Sequence, residues 1–325
     1  MKIDRRRFLA TSAALIGTLA AGRVSADDYP NHPIRFVVPF TPGAGTDRTA
    51  RILAEKLGPM LGQPIIVENR GGASGSIGTD FVAKAAPDGY TWVIGTDPSF
   101  TINQHLRKMP YDALLDFVPV ILITRVPLVL VANPKLQANS IQELVRMAKA
   151  QPGKLTISSS GNGTSGHLAA EVFMFATDTK LLHVPFKGQA EAVTDVLAGR
   201  IDLNFTAIAD ILSLARANKL KVLAIGAPQR FEGLPDVPTV AECGYPNFDV
   251  SAFHGLLMPA GTPASIVSRI NGEVNRVLTT PEVKQTFENL GLFPVGGEPD
   301  RLTHLLKSDS DRWADVIRKA NIRVE

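Results

Sequence analysis

From residue 34 onward, short apolar runs alternate with longer stretches in which apolar residues recur every three or four positions. Ile34-Arg35-Phe36-Val37-Val38, bounded by Pro33 and Pro39, has the β-branched and aromatic character of a buried strand. From Thr49 to Leu61, the residues Ile52, Leu53, Leu57, Met60 and Leu61 fall on one helical face. Ile65-Ile66-Val67 predicts a second strand. A glycine-rich loop from Gly71 to Gly78 then opens a helix ending near Ala86, and Trp92-Val93-Ile94 predicts a third strand. Such a βαβαβ order predicts parallel strands covered by helices.

The rhythm restarts in mid-chain. Ile141 to Ala150 predicts a helix, Leu155-Thr156-Ile157 a strand and Leu168 to Ala176 a helix. Leu181-Leu182-His183-Val184, the helix Ala190 to Ala198, and the strands at 201–205 and 221–225 follow. Phe253 to Met258 predicts a strand returning to the first sheet, and Ala264 to Leu278, Pro281 to Leu290 and a stretch from Pro299 to near Ala320 predict closing helices. The expected fold is α/β and two-lobed, each lobe a mostly parallel sheet flanked by helices. Crossings near Pro127 and Ser251 would divide it into 27–127 plus 251–325 and 128–250.

With 45% hydrophobic and 20% charged residues, the 325-residue chain can bury a core, which excludes a disordered or fibrous protein. A single cysteine, Cys243, excludes a disulfide framework and a multi-cysteine metal centre. The formal charge of +3 raises nucleic acid as a partner, until the N-terminus is considered. Arg5-Arg6-Arg7, an apolar run from Thr11 to Ala21 and Val24-Ser25-Ala26 form the pattern of an export signal cleaved after Ala26. The run is shorter than the roughly 20 residues needed to span a bilayer. Arg5-Arg6-x-Phe8-Leu9 fits the twin-arginine pattern; a Sec signal with a basic start is the alternative. Removing residues 1–26 takes five of 34 basic and one of 31 acidic residues, leaving 29 against 30 and a net charge of −1. The basic balance therefore belongs to the signal, nucleic acid loses its electrostatic argument, and the expected destination is the periplasm.

Candidate chemistry lies in two strand-to-helix loops. In Pro39-Phe40-Thr41-Pro42-Gly43-Ala44-Gly45-Thr46-Asp47, glycines allow close backbone approach and the helix start offers unpaired N–H groups to an anion. Phe40, Thr41, Gly43, Ala44, Gly45 and Thr46 are the candidate contacts, and Asp47 is expected to cap the helix. The second loop, from Ser158 to His167, repeats the design, with Ser160, Asn162, Gly163, Thr164, Ser165 and His167 as candidates. Two such loops, one per lobe, could grip one carboxylate from opposite sides.

Other chemistries lack their residues. Gly43-x-Gly45 with Glu68 imitates a dinucleotide fingerprint, but Arg48 stands where close helix–strand packing needs a third glycine. Gly163-Thr164-Ser165-Gly166-His167 misses the nucleophile elbow because its last glycine is His167. The six histidines are scattered, so neither cofactor nor metal is expected.

Collinear motifs carry a family resemblance over essentially the whole mature chain. They include Val38-Pro39-Phe40-x-Pro42-Gly43, Val67-Glu68-Asn69-Arg70-x-Gly72-Ala73, Pro87-Asp88-Gly89-Tyr90-Thr91, Val184-Pro185-Phe186-Lys187-Gly188 and Leu234-Pro235-Asp236-Val237-Pro238-Thr239. With these segments the chain resembles the Bug-type periplasmic substrate-binding proteins of tripartite tricarboxylate transporters. The resemblance implies a monomeric, non-enzymatic clamshell of the periplasmic-binding-protein type that traps a small carboxylate for a two-subunit integral membrane transporter. A ligand-presenting partner of a membrane sensor and, from another class, a secreted hydrolase are the alternatives. It also brings Phe186 and Lys187 into the candidate site, with Asp97, Ser99 and Thr206 at two departures from the family pattern, Thr96-Asp97-Pro98-Ser99-Phe100 and Phe205-Thr206-Ala207. An acid often found near 206 is absent, and Asp97 would repel a second ligand carboxylate. The expected ligand is therefore a monocarboxylate with an amine, amide or aromatic nitrogen at its far end, unless Asp97 only caps a helix starting at Pro98.

Overall fold

The computed structural model describes residues 29–246, 248–319 and 321–323; the expected signal segment and its cleavage at Ala26 lie outside them. The apolar runs become strands of two sheets. The first sheet contains β1 (Ile34–Val38), β2 (Ile65–Asn69), β3 (Thr91–Gly95), β4 (Phe117–Val126), β10 (Ala252–Pro259) and β11 (Phe293–Pro294), in the order β11-β4-β10-β3-β1-β2. The second contains β5 (Leu128–Ala132), β6 (Thr156–Ser159), β7 (Leu182–Pro185), β8 (Leu203–Ala207) and β9 (Lys221–Ile225), in the order β7-β6-β8-β5-β9.

The expectation of mostly parallel sheets needs correction. β1 pairs in parallel with β2 and β3, and β6 with β7 and β8. β10 runs antiparallel to β3 and β4, however, and β5 antiparallel to β8 and β9. A helical crossover returns the chain to the end of the sheet it left, so helix-linked neighbours are parallel. β4 in the first sheet and β5 in the second are separated by Pro127 alone, so β5 enters its sheet with no such reversal.

Periodicity assigns no strand between Ile94 and Leu155, yet β4 and β5 lie in that interval. The stretch is apolar on both faces, which erases the alternation that marks a half-buried strand. Pro119 is tolerated inside β4 because its pairing with β10 shifts register between Leu256 and Leu257. The strand expected at 201–205 lies two residues later, which places Thr206 and Ala207 at its end.

Helices begin where the loops were expected to end. α1 (Gly45–Leu61) and α2 (Ser76–Ala83) serve the first sheet, and α3 (Ile141–Ala150), α4 (Ser165–Thr177), α5 (Gln189–Ala198) and α6 (Ile208–Arg216) the second. α7 (Ala264–Thr279), α8 (Pro281–Asn289) and α9 (Pro299–Lys319) then pack back on the first sheet's side. Phe36 and Trp92 meet edge to face beside the first sheet, and Phe173, Phe205 and Phe248 cluster beside the second, all within one apolar core. All five rings are buried, the class of residue whose truncation costs about 3–5 kcal/mol.

Candidate functional site

Between the two sheets lies a cavity of about 310 Å³, at the small end of the ~300–1,000 Å³ typical of small-molecule sites. Four helices start on its wall: Gly45 and Thr46 open α1, Ser165 and Gly166 open α4, Gln189 opens α5, and Ala207 precedes α6. The residues before these helices, Ala44, Thr164, Gly188 and Ala207, are extended and none makes a side-chain cap bond. First-turn N–H groups left free by their own N-cap residues, at the positive ends of helix dipoles, favour an anion. The sequence loops account for α1 and α4; α5 and α6 join them through the fold.

Of the candidates named from the sequence, Phe40, Thr41, Ala44, Gly45, Thr46, Asp97, Ser160, Thr164, Ser165, Lys187 and Thr206 line the cavity. Six lie off its wall, each with a local reason. Gly43 donates its N–H to Asp47, and Gly163 donates its N–H to His167 Nδ1 while packing towards Asn103. His167 is buried and stacked on His183. Ser99 turns its hydroxyl back onto the Thr96 carbonyl, and the Asn162 carbonyl accepts from Ser74 Oγ at 3.2 Å. Phe186 packs against the apolar cluster that holds Val129 and Ile211.

Two local expectations change. Asp47 is the third residue of α1 rather than its cap, and it reaches back to the Gly43 N–H at 2.9 Å. Burial opposes its ionisation, but Arg51, the Gly43 N–H and Asn69 outweigh that and hold its carboxyl below the usual range. Asp97 does not cap a helix at Pro98, since its own backbone is helical (φ −53, ψ −45) and its side chain makes no cap bond. It is 2% exposed, and its Oδ2 has no hydrogen-bond partner. Burial pushes its carboxyl up to about 6, aided by Asp309 and opposed by the Ser165 hydroxyl, its own N–H and Arg125.

Two wall residues were not anticipated. Asp210 stands at the third position of α6, the place Asp47 holds in α1. Burial pushes it up to about 6, against the pull of Arg48, Thr206 and the Gly45 N–H. The acid missing at position 206 is thus replaced four residues later, a spacing that the strand–helix junction could have revealed. His254 on β10 sits with Nδ1 3.0 Å from Thr49 Oγ1 and 3.1 Å from Thr124 Oγ1. Burial pushes it down to about 3, so it is neutral. Within an all-apolar strand, no sequence signal marks it.

A serine–histidine contact also emerges, Ser159 Oγ to His183 Nε2 at 2.7 Å. Ser159 is fully buried, bonds within its own loop to Gly161, and lies off the cavity wall. No group of three or more metal-ligating side chains occurs among the described residues.

A cavity walled by two sheets that exchange the chain between them, and floored by helix starts, belongs to the two-lobed solute-binding proteins. Residues 49–322 match the model of the tripartite tricarboxylate transporter family receptor, and the chain belongs to that family. Protein BugT of Bordetella pertussis is 38% identical over 326 residues, covering 99% of this chain and 100% of its own. Among solved structures, Rpa4515 of R. palustris with adipate superposes with a TM-score of 0.87 at 34% identity, covering 91% of this chain and 99% of its own. The periplasmic binding protein BugD gives a TM-score of 0.84 at 33% identity, with 91% and 100% covered. The family is one of substrate-binding receptors, not of enzymes, and its members are periplasmic proteins that work with membrane transporter components. Among the described residues, no helix is long and apolar enough to cross a membrane.

Proposed function

We propose that this chain is exported to the periplasm, loses its signal after Ala26, captures a small carboxylate as a monomer and delivers it to a two-subunit membrane transporter. The observation that carries this reading is the convergence on one cavity of four helix starts whose N-cap residues make no side-chain cap bond. Burying an ion pair costs several kcal/mol per ion. Pre-oriented backbone N–H groups and bridging water can solvate a carboxylate without that cost, so affinity stays releasable. Phe40, Thr41, Ala44, Gly45, Thr46, Ser160, Thr164, Ser165, Lys187 and Thr206 are the proposed contacts on the wall. The proposed lobes are 27–127 with 251–325, and 128–250, closing about hinges near Pro127 and Ser251. The adipate bound by the R. palustris relative supports the ligand class.

A thermal-shift screen of the mature chain against small mono-, di- and aminocarboxylates tests the reading. A ligand at 100 times its Kd stabilises by about 2.7 kcal/mol, an easily seen shift. Stabilisation by at least one carboxylate is expected, with a decrease in radius of gyration at saturation. No shift with any carboxylate would overturn the reading.

A further inference from the structure

The helix starts are not electrically empty. Asp97, which follows β3 of the first sheet, has the Ser165 hydroxyl at the start of α4 as its neighbour from the second sheet's side. Asp210, in α6 beside the second sheet, has the Gly45 N–H at the start of α1, which serves the first sheet, as its neighbour. Each acid thus crosses the cavity to the helix start on the opposite side. The positive potential of both helix ends is already offset by a protein carboxylate before any ligand arrives.

The remaining charges do not restore a positive cavity. Arg125 on β4 is the cation beside Asp97, but it also faces Asp309 of α9 at 3.8 Å and Asp249 at 3.9 Å. Arg312 is likewise committed to Asp309. Arg48 acts on Asp210 from an exposed position, Lys187 lines the cavity with an exposed side chain, and His254 on β10 is neutral. The two acids differ in one respect. Asp210 has the Thr206 hydroxyl as a donor at 3.5 Å, whereas Asp97 Oδ2 has no hydrogen-bond partner. An unpartnered buried acceptor on a cavity wall asks for a donor from the ligand, and a charged donor suits it best.

We infer that the ligand is a zwitterion, a small carboxylate that also bears a protonated amine, with the ammonium facing the Asp97 carboxylate. This rests on the carboxylate reading above and narrows it. A net-neutral ligand leaves the balance of helix ends and protein acids intact; a dicarboxylate would add two negative charges to a wall that already holds two buried acids.

Calorimetry on the mature chain tests this with small aminocarboxylates and their deaminated analogues, alongside adipate and malate. At least one aminocarboxylate should bind tenfold or more tighter than its deaminated analogue, roughly the weight of one charge-assisted hydrogen bond. Asp97→Asn should cost that ligand about tenfold or more and leave the deaminated acid unharmed. Affinity for the aminocarboxylate should rise between about pH 5 and about pH 7.5, because the ammonium needs an ionised partner. A dicarboxylate that forces a proton onto Asp97 would show the opposite slope. If a dicarboxylate binds tightest, with affinity rising as pH falls and undiminished or raised in Asp97→Asn, the zwitterion is overturned and the carboxylate reading stands. If no carboxylate of either kind binds, both fall. Should Asp97→Asn fail to fold, the wild-type deamination comparison and pH slope still decide.

Discussion

The loops that open α1 and α4 use one device in two chemical versions. In each, a glycine N–H is accepted by the side chain four residues later: Gly43 by Asp47 at 2.9 Å, Gly163 by His167 Nδ1 at 3.2 Å. In the first loop the acceptor is a buried carboxylate, itself tied to Arg51 and Asn69 at 2.9 Å each. In the second it is an imidazole whose Nε2 faces the Glu171 carboxylate at 3.6 Å, while Thr164 Oγ1 donates to the Gly161 carbonyl and Ser159 Oγ accepts from the Gly161 N–H. The surroundings differ as well. A Cβ added at Gly43 would meet open space, while one at Gly163 would lie 2.7 Å from Asn103 Oδ1 across the cleft. The first loop is braced by Asp47 with Arg51 and Asn69; the second meets Ser74 and Asn103 from beside the first sheet. A ligand presented to both would meet similar backbone donors with unequal rigidity behind them.

The largest test of this contrast is a pair of valine substitutions. Gly163→Val combines a left-handed backbone with a collision and should cost about 3 kcal/mol, whereas Gly43→Val carries the backbone cost alone, about 1–2 kcal/mol. Urea unfolding would measure both, and equal losses would remove the cross-lobe contact from the picture. Next come the acceptors. Asp47→Ala strands Gly43, Asn69 and Arg51 and should cost about 2 kcal/mol, more than the roughly 1 kcal/mol expected for His167→Ala, by the same measurement.

Acid should separate the loops in a different order. His183, stacked on His167, is pushed down to about 4, first by burial and then by the charge of His167. Its neutral form is the one the fold favours. That contribution is complete above the unfolded value near 6.5 and is lost as pH falls towards about 4. Asp47, held below its usual value of 3.8, keeps its contribution until pH falls below that value. Amide exchange at Gly163 should therefore quicken at a higher pH than at Gly43, after correction for intrinsic rates, and His183→Gln should remove part of that difference. The smallest effect belongs to the hydroxyls. Truncating Thr41 or Ser165 to alanine should cost about 1 kcal/mol or less of ligand affinity by calorimetry, since backbone donors carry the grip.

Both loops were readable as glycine- and hydroxyl-rich turns between a strand and a helix, because turn chemistry and periodicity are local. The mature lobes' alternation of strand and helix was readable for the same reason. β4 and β5 were not, since burial on both faces hides a strand's period, and the mixed strand directions followed only from where the chain changes sheets. Within the site, Gly43, Ser99, Asn162, Gly163, His167 and Phe186 have the right residue types but spend their polar groups or surfaces on neighbours. Asp210 and His254 drew no attention because one reads as an ordinary first-turn acid and the other lies in an apolar run.

Sequence alone determined most strands and helices outside β4 and β5, and the two glycine-rich loops that open α1 and α4, because those properties depend on residues within a few positions. Tertiary structure alone decided that Asp97 meets Ser165 and Asp210 meets Gly45 across the cavity. Those partners are 68 and 165 residues apart in the chain, and the energy of a buried carboxylate is set by the solvent it loses and the dipoles it gains. Neither is written in its neighbours along the chain.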